Sequence, residues 1–175
     1  CFSFSWNRIS FYCVLNFIFN QTKPLLRMIA LITGSNGLLG QKIIEQLNHK
    51  GNKIIATSKG SNRNLNNNSF IYEDLDITNK EILSCVLKKY KPDVVFNTAA
   101  MTNVDLCDQE KDLCEKVNVK AVEYLADICL ELDAHLIHVS TDFIFDGNDG
   151  PYKEDDIPCP LSYYGQSKLD SENIL

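Results

Sequence analysis

Tyr164 and Lys168 are the residues whose types and spacing suggest chemistry most directly. Residues four apart share one face of a helix, so the phenol and the ammonium group can point into the same cleft. A cation within about 4 Å favours the ionised form of a tyrosine. At an effective dielectric constant of about 20 this attraction is on the order of 4 kcal/mol. The pair is therefore a candidate acid with a lysine that lowers its pKa, although the same spacing also occurs on ordinary solvated helices.

A glycine-rich turn, Gly34 to Gly40, follows an apolar run and opens a helical pattern. Glycine lets the backbone approach a pyrophosphate, and the N-terminus of a helix stabilises the negative charge. The alternative is an ordinary strand-to-helix turn. Combined with the Tyr-Lys pair, the turn predicts a nicotinamide-dependent redox enzyme. The turn residues predicted to hold the cofactor are Gly34, Asn36, Gly37, Leu38 and Leu39.

Strand-like and helix-like segments alternate from Met28 onward. Short apolar runs at 28–33, 53–57, 70–72, 93–97 and 136–139 predict five strands. Helical patterns lie between them: an apolar stripe at 39–47, a capping box opening at Thr78, a long stretch at 108–132, and a last helix from Ser162. The residues predicted to face inward on the second of these helices are Ile82, Leu83, Val86 and Tyr90, and those on one side of the long stretch are Leu113, Val117, Ala121, Leu125, Ile128 and Leu132. Strands that are apolar on both faces imply a parallel sheet covered on both sides. We predict a doubly wound, Rossmann-type α/β fold, whose ligands bind beyond the carboxyl ends of the strands.

The end of the second strand predicts which cofactor is used. An NAD site usually has a carboxylate there, about 20 residues after the glycine turn, but residues 57–63 contain none. Lys59 and Arg63 can instead pair with a 2′-phosphate, which favours NADP(H) and leaves NAD(H) as the alternative. Both cations would otherwise be solvated loop residues. After the third strand, Asp76 is expected to accept from the adenine amino group beside Ile77, with Asp74 as a competitor.

The composition limits the classes of protein. With 175 residues, 45% of them hydrophobic and 23% charged, the chain suits one soluble domain. A net charge of −6 argues against nucleic-acid and anionic-membrane partners. Seven cysteines, an odd number without repeated spacing, predict reduced thiols and a cytoplasmic protein. A metal site is not expected, because the set with the right residue types lacks zinc spacing: Cys107, Cys114, His135 and His138.

The segment before Met28 stands apart. Residues 1–27 are rich in aromatic side chains, and their most apolar stretch, 11–19, is shorter than the roughly 20 residues of a membrane span. A signal-like segment is conceivable, but no small-residue cleavage site follows it. We expect Met28 to be the initiator and residues 1–27 to be translated upstream sequence, with 28–175 forming part of a Rossmann domain.

Several motifs, in their order along the chain, resemble the extended short-chain dehydrogenases/reductases. Within this superfamily, the chain is most similar to the family of dTDP-4-dehydrorhamnose reductases and related nucleotide-sugar 4-ketoreductases. The resemblance covers 28–175. It rests on the segments 33–40, 97–100, 104–105, 118–119, 140–147, 151–152 and 164–168.

The resemblance assigns roles to individual residues. It makes Tyr164 the general acid for the ketone oxygen and Lys168 the residue that lowers its pKa and binds the nicotinamide ribose. Thr141, rather than Ser140, would hydrogen-bond the substrate carbonyl. Asn118 would support the lysine through water, or be a plain polar residue of its helix. Two small side chains would leave room for the cofactor: Ala99 and Ala100.

The departures from the pattern bear on the activity. Dehydratases of nucleotide sugars usually carry an acidic pair after the threonine, but here Phe143 follows Asp142, which favours a reductase. Met101 and Phe143 also replace frequent tyrosines, so the details of the substrate stay open. Two alternatives remain: an NADP-binding regulatory subunit like the β subunit of methionine adenosyltransferase, and another extended dehydrogenase or epimerase.

The resemblance also implies expectations for the whole protein. The complete protein is expected to reduce dTDP-4-dehydro-6-deoxy-L-mannose with NADPH in dTDP-rhamnose biosynthesis. The chain is expected to be an N-terminal part, truncated before the substrate lobe and inactive alone. The expected partner is a nucleotide sugar, with no nucleic acid and no membrane, and a homodimer is the assembly left open.

Overall fold

The computed structural model describes residues 28–64, 69–148 and 150–175. Within these ranges five strands form one sheet in the order β3-β2-β1-β4-β5, and every neighbouring pair is parallel. The prediction of a doubly wound, Rossmann-type α/β sheet is confirmed. The strands are β1 (Ile29–Thr33), β2 (Lys53–Ser58), β3 (Ile71–Asp74), β4 (Val94–Asn97) and β5 (His135–His138).

Helical segments connect the strands. A π-helical turn, Lys116–Lys120, lies between α4 and α5, and a short 3₁₀ turn, Asp142–Ile144, follows β5. The α-helices are α1 (Leu38–Asn48), α2 (Lys80–Tyr90), α3 (Val104–Gln109), α4 (Lys111–Glu115), α5 (Ala121–Leu132) and α6 (Tyr163–Ile174).

The core lies on both faces of the sheet, as the apolar strands require. Leu31 of β1 is fully buried on one face, in a cluster that includes Leu83 of α2 and Leu125 of α5. Its neighbour Ile32 is buried on the other face, in a cluster that includes Ile44 of α1. Alternate residues of a strand point to opposite faces, so a strand covered on both sides has to be apolar at successive positions.

The start of α2 differs from the prediction. Its N-cap is Asn79, whose side chain accepts from the backbone N–H of Ile82 at 3.0 Å. Thr78, the predicted cap, instead donates its hydroxyl to Asp76. Ile82, predicted to face inward, is 48% exposed. The buried stripe is narrower than predicted, because it consists of Leu83 and Leu87, which lie one turn apart.

The long helix predicted over 108–132 is interrupted. Glu110 leaves the helical conformation between α3 and α4, and the π turn follows α4. A π turn inserts an extra residue into a helix and changes the direction of the side chains that follow. Leu113 lies before the π turn, in the short α4 that follows the break at Glu110, and is 46% exposed. Ala121 and Ile128, beyond the π turn, are buried as predicted.

The expectations for residues 1–27 fall outside the described residues. Among the helices that the structure describes, none combines the length and the apolar character needed to cross a membrane. Five of the cysteines lie in the described ranges, and all five are free thiols. The buried ones are Cys107, Cys114 and Cys129.

Candidate active site

The glycine turn closes against the segment that follows β4. Gly34 has a φ of 66°, and a Cβ built on it would lie 2.7 Å from the backbone nitrogen of Ala99. A Cβ on Gly40 would lie 2.6 Å from the Gly34 carbonyl oxygen. The left-handed conformation and the close approach both require glycine. They bring β1 and β4 together where the strand order reverses, which is where open α/β sheets bind their ligands.

The first turn of α1 can receive an anion. Its N-cap is Gly37, so no side chain caps the helix, and its first turn contains no acidic residue. The positive end of the helix and its unpaired N–H groups therefore face the turn, an arrangement that fits a pyrophosphate. Asn36 links this turn to the loop after β2, because its side chain bonds the backbone of Ser61 and Arg63. Leu38 is largely exposed.

A cleft of about 340 Å³ opens at this edge of the sheet. Its volume is within the range of small-molecule sites. It brings together seven of the thirteen residues predicted to hold the cofactor. The six that do not line it are Asn36, Leu38, Leu39, Arg63, Tyr164 and Lys168. The lining residues are Gly34, Gly37, Ser58, Lys59, Leu75, Asp76, Ile77, Thr78, Thr98, Ala99, Ala100, Leu113 and Val117.

Lys59 and Asp76 are paired with each other inside this cleft. The ammonium group of Lys59 lies 2.7 Å from Oδ2 of Asp76, and Oδ1 of Asp76 accepts from the backbone and hydroxyl of Thr78. The hydrogen bond from Lys59 lowers the pKa of Asp76 and raises that of Lys59. Both carboxylate oxygens of Asp76 therefore already have protein partners. The competitor Asp74 accepts from the backbone of Gly60.

Tyr164 and Lys168 lie on the buried face of α6. They are 9% and 1% exposed, respectively. Ser162 caps the helix by accepting from the N–H of Gly165. A Cβ on Gly165 would collide with the carbonyl oxygen of Phe143. The glycine therefore lets α6 lie directly against the segment after β5, which carries the remaining predicted catalytic side chain.

Thr141 is the hydroxyl beside the candidate acid. Its side chain acts on the phenol of Tyr164 by lowering the pKa of that phenol, whereas the hydroxyl of Ser140 donates to Glu172. Thr141 lies just beyond β5 and also caps the 3₁₀ turn by accepting from the N–H of Phe143. The choice of Thr141 over Ser140 as the hydroxyl for the substrate carbonyl stays a prediction.

The electrostatics of Tyr164 differ from the expectation. Burial raises the pKa of Tyr164, with the hydrogen bond from Thr141 acting in the opposite direction. The lowering by Lys168 is not found, because the lysine Nζ is directed at β5: it lies 2.8 Å from Nε2 of His138 and donates to the carbonyl of Val139 at 2.6 Å. Burial lowers the pKa of Lys168 to about 8. At neutral pH the site therefore contains a protonated phenol and a charged ammonium group.

Asn118 supports the site from the π turn. Its side chain bonds the backbone N–H and carbonyl of Met101 and donates to the hydroxyl of Ser167, at 2.8, 3.0 and 3.0 Å. Ser167 in turn donates to the carbonyl of Tyr164 at 2.8 Å. Asn118 therefore holds the turn of α6 that carries both candidate catalytic residues, rather than the lysine itself.

Sequence reasoning missed two partners of the lysine. His138 was considered only as a metal ligand, and Ser171, whose hydroxyl lies 3.1 Å from Nε2 of His138, was not considered. The available signal was a histidine that ends an apolar strand, at the edge where ligands bind. The burial of His138 and the charge of Lys168 lower the pKa of the imidazole to about 3, so the ring is neutral at ordinary pH.

Together, the switch-point glycines, the parallel sheet and the Tyr-Lys pair beside Thr141 are those of an extended short-chain dehydrogenase/reductase. The chain belongs to the family described as the RmlD substrate binding domain, whose model matches residues 28–175. This confirms the family predicted from the motifs.

Known proteins of two kinds are similar to this chain. It is 37% identical to the dTDP-4-dehydrorhamnose reductase of Aggregatibacter actinomycetemcomitans over 83% of this chain and 46% of that protein. It is 34% identical to methionine adenosyltransferase 2 subunit beta of Xenopus laevis over 83% of this chain and 42% of that protein. The chain spans about half the length of the curated relatives it matches.

A solved structure extends the comparison to the fold. The dTDP-4-dehydrorhamnose reductase of Bacillus anthracis, in complex with NADP, superimposes with a TM-score of 0.72 at 30% identity. The match covers 86% of this chain and 49% of that one. The similarity therefore includes nearly all the described residues.

Proposed function

We propose that the complete protein is an NADPH-dependent reductase of a nucleotide-sugar 4-ketone, with dTDP-4-dehydrorhamnose as the candidate substrate. The observation that carries the proposal is the burial of Tyr164 beside Thr141, one helical turn before the buried Lys168 on the same face of α6. The named activity of the Aggregatibacter actinomycetemcomitans relative supports the same reaction.

The residues around the cleft fit a nicotinamide dinucleotide. The uncapped first turn of α1 suits the pyrophosphate, and Gly34 keeps the backbone close to Ala99 where a larger residue would collide. Ala99 and Ala100 line the cleft with small side chains that leave room for the cofactor. The bound NADP in the Bacillus anthracis structure supports this assignment. When bound, the cofactor supplies a hydride for the ketone carbon.

Tyr164 would act as the general acid. Its raised pKa keeps the phenol protonated at neutral pH, so it can donate its proton to the ketone oxygen as negative charge develops there. Thr141 would hold that oxygen by a hydrogen bond. The ammonium group of Lys168 would bind the nicotinamide ribose and stabilise the phenolate that remains after proton transfer. Proton transfer of this kind contributes about 10²- to 10⁴-fold in rate.

The preference for NADPH is supported by the cations after β2. Lys59 lines the cleft, Arg63 follows it in the same loop and is exposed, and β2 ends without a carboxylate. Because Asp76 already offsets the charge of Lys59, the unopposed positive charge for a 2′-phosphate would come from Arg63. NAD(H) remains the alternative cofactor.

A second candidate function is a cofactor-binding regulatory subunit. The 34% identity to methionine adenosyltransferase 2 subunit beta favours it, because that match covers the same share of this chain as the reductase match. Such a subunit would bind the cofactor without turning over a sugar. The two functions therefore differ in whether Tyr164 matters for activity.

The test compares two neighbouring tyrosines in the complete protein. We expect Tyr164→Phe to lower the turnover of NADPH with dTDP-4-dehydrorhamnose at least about a hundredfold. Tyr163→Phe is the matched control, because the hydroxyl of Tyr163 bonds Glu115 instead of Thr141. Unchanged turnover in Tyr164→Phe would refute the catalytic assignment. Cofactor binding without turnover in the wild type would favour the regulatory subunit. Separately, analytical sedimentation of the complete protein would test whether it forms a homodimer.

A further inference from the structure

Lys168 receives its hydrogen-bond acceptors from β5 and not from its own helix. Its Nζ meets Nε2 of His138 at 2.8 Å and the carbonyl of Val139 at 2.6 Å. A buried ammonium group is costly unless acceptors satisfy its protons, and it has three of them. These two acceptors leave one of the three protons for a further acceptor. They also fix the direction in which that proton points.

His138 accepts from the lysine only in one tautomer. The ammonium group donates, so Nε2 must be unprotonated and the ring proton must lie on Nδ1. Nδ1 is 2.9 Å from the amide group of Asn97. In the structure the hydroxyl of Thr33 donates to Oδ1 of Asn97, and Nδ2 of Asn97 faces Nδ1. The Nδ1-protonated tautomer requires the opposite orientation of the amide, in which its oxygen and nitrogen exchange places.

Asn97 connects His138 to Thr33 of the first strand. Its side chain lies 2.5 Å from the hydroxyl of Thr33, and both residues are buried. Polar side chains at the ends of three adjacent strands, β1, β4 and β5, therefore lead to the lysine on α6. Each member of such a buried network is costly to leave unpaired, so the network holds its geometry.

We propose that His138 is a positioning residue that holds the Nζ of Lys168 through its Nε2 and thereby sets the direction of the remaining ammonium proton. The catalytic relevance of this contact rests on the proposed reductase function. The contact itself does not depend on that function, because it is a property of the folded chain.

Other ionisable groups also face this part of α6. Glu172 lies on the same helix and raises the pKa of Lys168. The groups that act on Tyr164 from the neighbouring elements are Cys107 of α3, Cys114 of α4 and Asp142 after β5. None of these changes in the variants that follow, so a shift in the pKa of Lys168 would report on position 138.

Three substitutions separate the two ring nitrogens in the complete protein. His138→Gln keeps an acceptor near the position of Nε2, His138→Asn keeps one near Nδ1 only, and His138→Leu removes both. His135→Leu is the matched control, because His135 is an exposed histidine of the same strand.

The kinetic test uses the pH dependence of turnover. We expect His138→Leu and His138→Asn to raise KM for the cofactor about tenfold, because each loses a hydrogen bond to a charged group. KM for the sugar should not change, and His138→Gln and His135→Leu should resemble the wild type. In the two impaired variants the alkaline limb of kcat/KM should move to lower pH, since the ammonium group loses an acceptor. Identical pH profiles in the wild type and His138→Leu would overturn the proposal.

A measurement without turnover separates this proposal from the reductase function. NMR titration of the Lys168 side chain, assigned with Lys168→Met, should give a lower pKa in His138→Leu and His138→Asn but not in His138→Gln. Nitrogen NMR should find the ring proton of His138 on Nδ1. These results would support the positioning role even for a protein that reduces no 4-keto sugar. A proton on Nε2, or a Lys168 pKa that is the same in His138→Asn and His138→Gln, would overturn it even where His138→Leu does not fold.

Discussion

Two lysines at opposite ends of the same sheet edge have contrasting environments. The side chain of Lys59, after β2, is 80% exposed and paired with Asp76, and this pairing raises its pKa. Lys168, beside β5, is 1% exposed, and burial lowers its pKa to about 8. The pKa of a lysine is therefore raised by a charged partner at position 59 and lowered by desolvation at position 168.

The contrast indicates how tolerant each position is. An exposed ion pair contributes little to stability, since water solvates either partner when the other is lost. A buried ammonium group persists only while acceptors surround it, so its position is tied to the packing of α6 on β5. Substitutions of Lys59 should therefore change the activity only gradually. A substitution of Lys168 should abolish most of the activity in a single step.

The largest expected effect is loss of the buried cation. Lys168→Met preserves the length and apolar part of the side chain. We expect turnover of the complete protein to fall at least about a hundredfold, because the ammonium group proposed to bind the nicotinamide ribose is lost. Lys59→Met, measured in parallel, should keep nearly full turnover with saturating cofactor. Equal losses of turnover in the two variants would show that the buried and the exposed lysine do not differ in their importance for activity.

The pH dependence of stability should have opposite signs at the two lysines. The ordinary pKa of 10.5 for Lys168 applies to the unfolded chain, so between about pH 8 and 10.5 the unfolded state binds more protons than the folded state. The free energy of unfolding should therefore rise with pH across this window, by up to about 3 kcal/mol from this group. Lys59 has a raised pKa when folded, so its contribution is present below pH 10.5 and lost as pH rises further.

Urea unfolding at several pH values in this window, for the wild type and both lysine-to-methionine variants, measures these contributions. The wild type should gain stability relative to Lys168→Met as pH rises. A constant difference between the two would show that Lys168 has an ordinary pKa.

A smaller effect is expected from the glycine that allows α6 to pack closely. Gly165→Ala places a Cβ against the carbonyl oxygen of Phe143 and should destabilise the protein by about 1–3 kcal/mol. It should also lower turnover, since α6 moves away from Thr141. Gln166→Ala, at the exposed neighbouring position, is the control in thermal unfolding and in turnover assays. Wild-type stability in Gly165→Ala would mean that this packing is not tight.

The smallest effect is expected at the exposed pair. Lys59→Ala should raise KM for NADPH a few-fold and leave KM for NADH unchanged, because only NADPH carries the 2′-phosphate. Asp76→Asn should have the reverse effect on KM for NADPH, since it frees the charge of Lys59. Steady-state kinetics with both cofactors measure this. Equal changes for NADPH and NADH would exclude a contact with the 2′-phosphate.

The periodicity of the sequence predicted the fold more accurately than it predicted which face of each helix is buried. The three central strands, β2, β1 and β4, were evident because they are apolar on both sides. A parallel sheet follows from the alternation of strands with helices. The inward face of α2 was partly wrong at Ile82, and the interruption at Glu110 was missed. Helix boundaries depend on caps and on packing against other elements, so local patterns determine them less well.

The sequence by itself determined that the glycine turn, Thr141 and the Tyr-Lys pair lie at one edge of a parallel sheet, because the carboxyl ends of parallel strands meet there. Only the tertiary structure decided which atoms make contact. Strand order set Asn97 beside His138, and the close packing of α6 at Gly165 directed Lys168 to His138 instead of Tyr164. Such contacts join residues distant in sequence, and their geometry depends on how closely whole elements approach one another.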